Sequence, residues 1–323
     1  MEFSEASGHE RIMLRLSREH LNSEFGSCQT YDGIFPPFTG DSWFLNLMLG
    51  GFVFRELKKK LKDTIVHYTT FGLPILSNNE EDIVTIHDLF LMDPQDEAYG
   101  KIFSVSRRLI ERFKNFNNVL APSYYVKSEL EGYGFNGRVS VIYIPVPKWI
   151  SYTGDKEEAR KKMGLPQNKK LILSVSSNLR RKNLGVVAET MDRLGDEYRL
   201  IRVGNPVGNC ISMSSVNEQQ LNLLYNACDV LLFPSLHEGF GKPVIEAFAA
   251  GLPVVTSDIE VMREICGNAA VLVEPTAEGC IRGIKEAISN KDIFVKRGLE
   301  RSQEYSRLRF AATVKRYYTD VMK

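Results

Sequence analysis

Two Rossmann-like domains, each a doubly wound parallel sheet of α/β class, are the fold this sequence predicts. Three observations predict it. The chain has 323 residues, enough for two domains. Its second half alternates short apolar runs with helical patterns in a βαβ rhythm. Within that half, the apolar run Asp229-Val-Leu-Leu-Phe-Pro234 leads into a glycine turn and then a helix start marked by Pro243. A proline at the first helical position loses no hydrogen bond, and such strand-to-helix junctions are where doubly wound sheets hold ligands.

In chain order, residues 64–69, 82–87 and 118–122 read as strands of the first domain, with helical patterns over 42–62, 102–113 and 125–133. The start of the chain, at Ser7-Gly-His-Glu-Arg11, leaves little room for an opening strand and glycine-rich turn, so a trimmed first domain is expected. The segment Val139-Ser-Val-Ile-Tyr-Ile-Pro-Val-Pro147 closes that domain, and residues 149–155 make a polar linker. The expected division is therefore 1–148, 149–305 and a terminal helix from 306.

In the second domain, strands are expected at 171–176, 198–203, 229–234, 253–257 and 270–273, and helices at 184–194, 218–227 and 277–289. Ser215 and Glu218 have the spacing of a capping box for the helix at 218, whose Leu221, Leu224 and Ala227 share one face. Residues 307–322 read as an amphipathic helix.

Composition narrows the function. The apolar fraction of 43% and a net charge of +1 describe an ordinary globular protein with no general attraction for nucleic acid, and no nucleic-acid-binding motif appears. Cys28, Cys210, Cys228, Cys266 and Cys280 are scattered, with no zinc spacing, as in a protein of reduced thiols. No apolar run approaches the roughly 20 residues that span a bilayer, and no leader pattern opens the chain. A cytoplasmic protein is expected, with one qualification. The apolar stretch from Trp43 to Phe54 is followed by Arg55, Lys58, Lys59, Lys60 and Lys62, a pattern suited to peripheral contact with an anionic membrane. A helix packed on the first sheet explains the same apolar residues.

The chemistry concentrates around two carboxylates. Glu238 lies in the glycine loop and Glu246 in the first turn of the following helix. Helix-start N–H groups carry partial positive charge and attract phosphate, and Gly239 and Gly241 let backbone approach a ligand. A basic turn, Arg180-Arg-Lys182, follows the strand at 171–176.

The segment His237-Glu-Gly-Phe-Gly-Lys-Pro-Val-Ile-Glu-Ala-Phe-Ala-Ala-Gly-Leu-Pro-Val-Val255 resembles the signature of retaining GT-B glycosyltransferases of family 4, the glycosyl transferases group 1. The resemblance continues through Thr256-Ser-Asp258, Arg263-Glu264 and Gly267-Asn-Ala-Ala-Val-Leu-Val-Glu-Pro275. A second block, Leu173-Ser-Val-Ser-Ser-Asn-Leu-Arg-Arg-Lys-Asn183, resembles the family's strand and diphosphate-binding turn.

The resemblance implies two domains facing a cleft, with the C-terminal helix crossing back to the first. It implies transfer of a sugar from a nucleotide-diphosphate donor, UDP- or GDP-linked, to a hydroxyl acceptor on a glycan, a lipid-linked saccharide or a small molecule. Arg181 and Lys182 would stabilise the departing diphosphate, Glu238 would contact donor-sugar hydroxyls, and Glu246 would accept from the ribose. The backbone at Gly239, Phe240 and Gly241 would surround the sugar, and the amides of Val244 and Ile245 would face phosphate or ribose. His87, in Ile86-His-Asp-Leu89, matches a cleft histidine of the family. Ser123 matches a strand-end serine and equally suits a helix N-cap. Without an Asp-x-Asp pair the site is expected to work without metal or other cofactor.

Three other readings remain open. One is a nucleotide-sugar epimerase or hydrolase of the same architecture. Another is a non-catalytic nucleotide-sugar binder. The third is an NAD-binding oxidoreductase using Gly239-x-Gly241 and Asp258, which Val244 and Glu246 disfavour by occupying space near the pyrophosphate.

Overall fold

The structure, a computed structural model, describes residues 81–90, 111, 114–135 and 137–321, together with strands at 13–17, 29–30 and 64–68. The Ser7–Arg11 start, the stretch from Trp43 to Lys62, the helical pattern at 102–113 (apart from residue 111) and Cys28 lie outside the described residues. The chain forms two compact units. One comprises Met1–Pro94, Tyr99–Ile142 and Ala312–Lys323, and the other is essentially Tyr143–Ala311.

The sheet of the first unit contains β1 (Met13–Ser17), β2 (Gln29–Thr30), β3 (Thr64–Tyr68), β4 (Ile83–Thr85), β5 (Asn118–Ala121) and β6 (Arg138–Val141), ordered β2-β1-β3-β4-β5-β6. From β3 onward neighbours pair in parallel, as expected. The opening differs from expectation, because a strand is present there and β1 pairs antiparallel with both β2 and β3. A parallel neighbour needs a long crossover, whereas an antiparallel one is reached by a short return. The β1–β2 pair is such a short return, whereas β1 and β3 pair across residues 18–63. Helix α1 (Tyr124–Gly132) follows β5 and buries Val126 and Leu130.

The second unit is built on a sheet of β7 (Lys170–Val175), β8 (Tyr198–Val203), β9 (Cys210–Met213), β10 (Val230–Phe233), β11 (Val254–Ser257) and β12 (Val271–Val273). All pairings are parallel, in the order β12-β11-β10-β7-β8-β9. Helices on both faces remove the sheet from water, which is why β10 and β11 are continuous apolar or small-residue runs without alternation. Ile172, Leu200, Val230, Leu232 and Val255 pack with Val187 and Ile284 from the helices into one core.

The helices of this unit are α2 (Lys156–Lys162), α3 (Leu184–Leu194), α4 (Glu218–Ala227), α5 (Lys242–Ala249), α6 (Glu260–Cys266), α7 (Ala277–Ser289) and α8 (Lys291–Ser302). Helix α9 (Arg307–Val321) begins here, and its residues from Ala312 onward group with the first unit. The capping box of α4 is made by Asn217 and Gln220, not by Ser215 and Glu218. Asn217 Oδ1 accepts from the Gln220 amide at 2.8 Å and Gln220 Oε1 from the Asn217 amide at 2.9 Å. Glu218 falls at the first helical position, where its charge favours the dipole but cannot reach back to the cap.

Helix α2 begins where the sequence suggested the polar linker to end. Asp155 caps it, accepting from the Glu158 amide at 3.0 Å. Its Lys156 and Arg160 converge on Asp229 at 2.5 and 2.7 Å, and the same carboxylate accepts from the Leu171 amide at 2.7 Å. Asp229 thus joins α2, the start of β7 and the start of β10.

Candidate functional site

The order of the second sheet reverses at β7. The chain proceeds from β7 outward to β8 and β9, then returns to place β10 on the other side of β7. In such sheets the crevice at the carboxyl ends of the two strands flanking the reversal accepts ligands. Both predicted motifs emerge from those two strands. The basic turn follows β7, and the Glu238 loop follows β10.

The basic turn is a short 3-10 helix, Arg180–Lys182, closed by Asn183 in the left-handed conformation at φ 54°. That residue also begins α3, and its side-chain amide donates to the Pro275 carbonyl at 3.0 Å. The two loops are tied together by backbone, since the Leu236 amide donates to the Arg181 carbonyl at 2.7 Å. Their side chains meet as a consequence. Glu238, only 6% exposed, forms an ion pair with Lys182 Nζ through Oε1 and lies 3.6 Å from Arg181 Nη1 through Oε2. The Lys182 ammonium also sits 5.4 Å from the centre of the Phe233 ring. One carboxylate therefore faces two cations in a largely dehydrated setting, where charge-assisted bonds are strong.

Glu246 lies one loop further on, within α5. Gly241 starts this helix at φ 98°, and a Cβ there would come within 2.6 Å of Met262 Cε, so glycine satisfies both a left-handed backbone and a tight approach. Glu246 is 6% exposed. Burial raises its pKa, while the hydrogen bond from Tyr225 and the charge of Lys242 oppose the rise. The Tyr225 hydroxyl donates to Oε2 at 2.7 Å, and burial followed by the adjacent carboxylate raises the phenol's own pKa, so it remains a donor.

Expected ligand contacts on this helix divide. The Val244 amide, expected to face phosphate or ribose, donates to the Gly241 carbonyl at 3.0 Å and closes the turn instead. The side chains of Val244 and Ile245 are wholly buried. Phe240 is buried against Tyr305 and Tyr143, with ring centres 5.7 and 6.1 Å apart, so its side chain anchors the glycine loop. Gly239, between Glu238 and Phe240, is buried with them.

In the first unit, His87 is exposed and stands two residues beyond the carboxyl end of β4. Ser123 is fully buried and caps α1, its hydroxyl accepting from the Val126 amide at 3.1 Å, which is the helix-cap role. A histidine not singled out in the sequence, His67, is buried between Tyr318 Oη at 2.6 Å and Thr85 Oγ1 at 2.7 Å. Burial, with the nearby His87, lowers its pKa to about 3.

Tyr225, bonded to Glu246, and Arg202, bonded to the carbonyls at the ends of β7 and β8, were not singled out in the sequence. Tyr225 reads as one more apolar residue of an amphipathic helix. Arg202, in the middle of Tyr198–Val203, reads as a polar interruption of a buried strand, and that interruption was the available signal. Among the described residues no group of three or more His, Cys, Asp or Glu side chains is placed to hold a metal ion. No described helix is long and apolar enough to cross a membrane.

Paired acids and cations thus gather at the switch point of an α/β sheet. Residues 155–307 match the family described as Glycosyl transferases group 1. The O-antigen chain mannosyltransferase RfbU of Salmonella typhimurium is 29% identical over 243 residues, covering 69% of this chain and 64% of that protein. O-antigen chain mannosyltransferase B of Escherichia coli is 25% identical over 335 residues, covering 94% of this chain and 81% of that protein. Among solved structures, sucrose-phosphate synthase from Thermosynechococcus elongatus superposes with a TM-score of 0.76 at 19% identity, covering 88% of this chain and 81% of that one. The match to the group 1 family thus falls on the second unit, the fold is that of GT-B proteins, and the chain spans less than two thirds of RfbU's length.

Proposed function

We propose that this protein is a retaining, family 4 glycosyltransferase that moves a sugar from a nucleotide-diphosphate donor, UDP- or GDP-linked, to a hydroxyl acceptor without a metal ion. The observation that carries the reading is the convergence of Glu238, Lys182 and Arg181 from the two strands flanking the sheet reversal. The leaving diphosphate gains negative charge as the glycosidic bond breaks, and Arg181 and Lys182 are placed to balance it. Glu238 then hydrogen-bonds sugar hydroxyls, which an ionised carboxylate can only accept. Glu246, held by Tyr225, accepts from the ribose. The acceptor hydroxyl approaches on the side of the departing phosphate, whose oxygen takes its proton, so no enzyme carboxylate becomes the nucleophile.

The names of two relatives make mannose the first sugar to test and an O-antigen-like saccharide, including a lipid-linked one, the first acceptor. A cytoplasmic location with peripheral membrane contact through residues 43–62 is compatible with such an acceptor. His87 would orient sugar or acceptor. The deciding experiment incubates the protein with GDP- and UDP-sugars, with and without acceptor saccharides, and follows products by NMR. A glycoside with the donor's anomeric configuration supports the reading. An inverted product overturns retention, and free sugar or an epimerised donor, unchanged by acceptor, overturns transfer.

A further inference from the structure

Behind the basic turn lies a charge that the site as described does not use. Arg202, next to last in β8, is 0% exposed, and its guanidinium donates only to backbone. Nη1 reaches the carbonyls of Ser174 at 3.1 Å and Val203 at 2.5 Å, and Nη2 reaches that of Ser176 at 2.5 Å. Val203 ends β8, and Ser176 is the first residue beyond β7, so the guanidinium sits across the carboxyl edge of two central strands. Its Nε has no hydrogen-bond partner, and among the described residues no carboxylate pairs with it. Gly204 makes room, since a Cβ there would lie 2.6 Å from the Ser176 carbonyl oxygen and 2.8 Å from Arg202 Nη2.

Two physical consequences follow. Carbonyl oxygens at strand ends carry partial negative charge toward the place where a diphosphate would sit, and Arg202 ties three of them up. A buried guanidinium stays protonated, and without an internal counter-ion its field extends toward the adjacent crevice. The turn Arg180–Lys182 begins four residues after Ser176, so the same contacts fix the base of that turn.

We propose that Arg202 is a positioning residue for donor binding: it gathers the carbonyls that end β7 and β8 and backs, with an unanswered positive charge, the diphosphate held by the Arg180–Lys182 turn. The proposal rests on the glycosyl-donor reading above. The test compares wild type, Arg202→Lys and Arg202→Met by calorimetric titration with GDP, UDP and the corresponding nucleosides, at low and high salt, with melting curves for each protein. Wild type should bind one diphosphate. Arg202→Met should lose about tenfold or more of that affinity, with a shallower salt dependence, while nucleoside affinity stays unchanged; Arg202→Lys should recover part of the loss.

If Arg202→Met does not fold, Arg202→Gln, which keeps donors for the carbonyls without the charge, takes its place in the comparison. Equal diphosphate affinity in wild type and the uncharged variant overturns the proposal alone. Parallel loss of nucleoside and diphosphate binding assigns Arg202 to the scaffold and also overturns it. Failure of wild type to bind any diphosphate overturns the donor reading and this proposal together.

Discussion

Tyr225 and Glu246 are joined by a hydrogen bond of 2.7 Å in which a phenol on α4 holds a carboxylate on α5, both nearly out of water. The bond leaves Oε1 as the carboxylate oxygen outside this contact. Such an arrangement favours a ligand at the expense of the fold, because burying a carboxylate costs free energy until its bonds are complete.

Glu246→Gln should therefore raise the melting temperature and weaken donor binding together. The sign follows from the raised pKa. The folded protein holds a proton above the ordinary carboxylate range that the unfolded chain releases, so this group's contribution to stability is lost as pH rises through the folded value. Glutamine removes that loss at neutral pH. Melting curves between pH 5 and 8, paired with donor titrations, check it; a lower melting temperature in the variant at neutral pH contradicts it.

Tyr225→Phe acts in the other direction on the same group. Loss of the donor hydroxyl takes away a bond that favours the ionised form, so the pH below which donor KM rises should move upward. Profiles of KM against pH for the two proteins report the shift, and superimposable profiles would remove Tyr225 from the account.

The pairing of Lys182 and Glu238 predicts strong coupling in function. Lys182→Ala and Glu238→Ala should each lower transfer by about 100-fold or more, and the double variant should fall well short of the product of the two losses. Multiplicative losses in kcat/KM would show that the two act independently.

His67 predicts an acid limit to stability. Its pKa falls from 6.5 to about 3 in the fold, so the unfolded chain takes up a proton first and stability drops as pH falls below 6.5. His67→Gln, which keeps a donor and an acceptor for Tyr318 and Thr85, should flatten that dependence between pH 6.5 and 4. An unchanged slope assigns the acid sensitivity to other groups.

Gly241→Ala should lower stability by about 1 kcal/mol or more, from the left-handed backbone and from displacement of Met262. Chemical denaturation measures the difference, and a variant as stable as the parent would show that the α5 start relaxes freely.

Much of the second unit was readable from residue pattern, because strands buried on both faces are short continuous apolar runs and their helices carry single-faced periodicity. Leu184–Leu194, Glu218–Ala227 and Ala277–Ser289 fall where the pattern places them. Helix Lys156–Lys162 was not readable, since all but one of its seven residues are charged and its stability comes from Asp155 and Asp229. Cys210–Met213 was not readable either, because an edge strand half open to water shows little apolar character. At the site, sequence spacing and resemblance named Glu238, Lys182 and Glu246. Tyr225, which bonds Glu246, and Arg202, which bonds the strand ends behind the basic turn, come from separate elements, and only the order of the sheet brings them near.

The central claim is that the two loops at the sheet reversal hold a nucleotide diphosphate between Lys182, Arg181 and the carboxylates. A crystal structure with GDP or UDP bound tests it most directly. Phosphate oxygens within hydrogen-bond reach of Lys182 and Arg181, with ribose hydroxyls on Glu246, are the predicted result. A diphosphate bound elsewhere, with Lys182 still closed on Glu238, would contradict it.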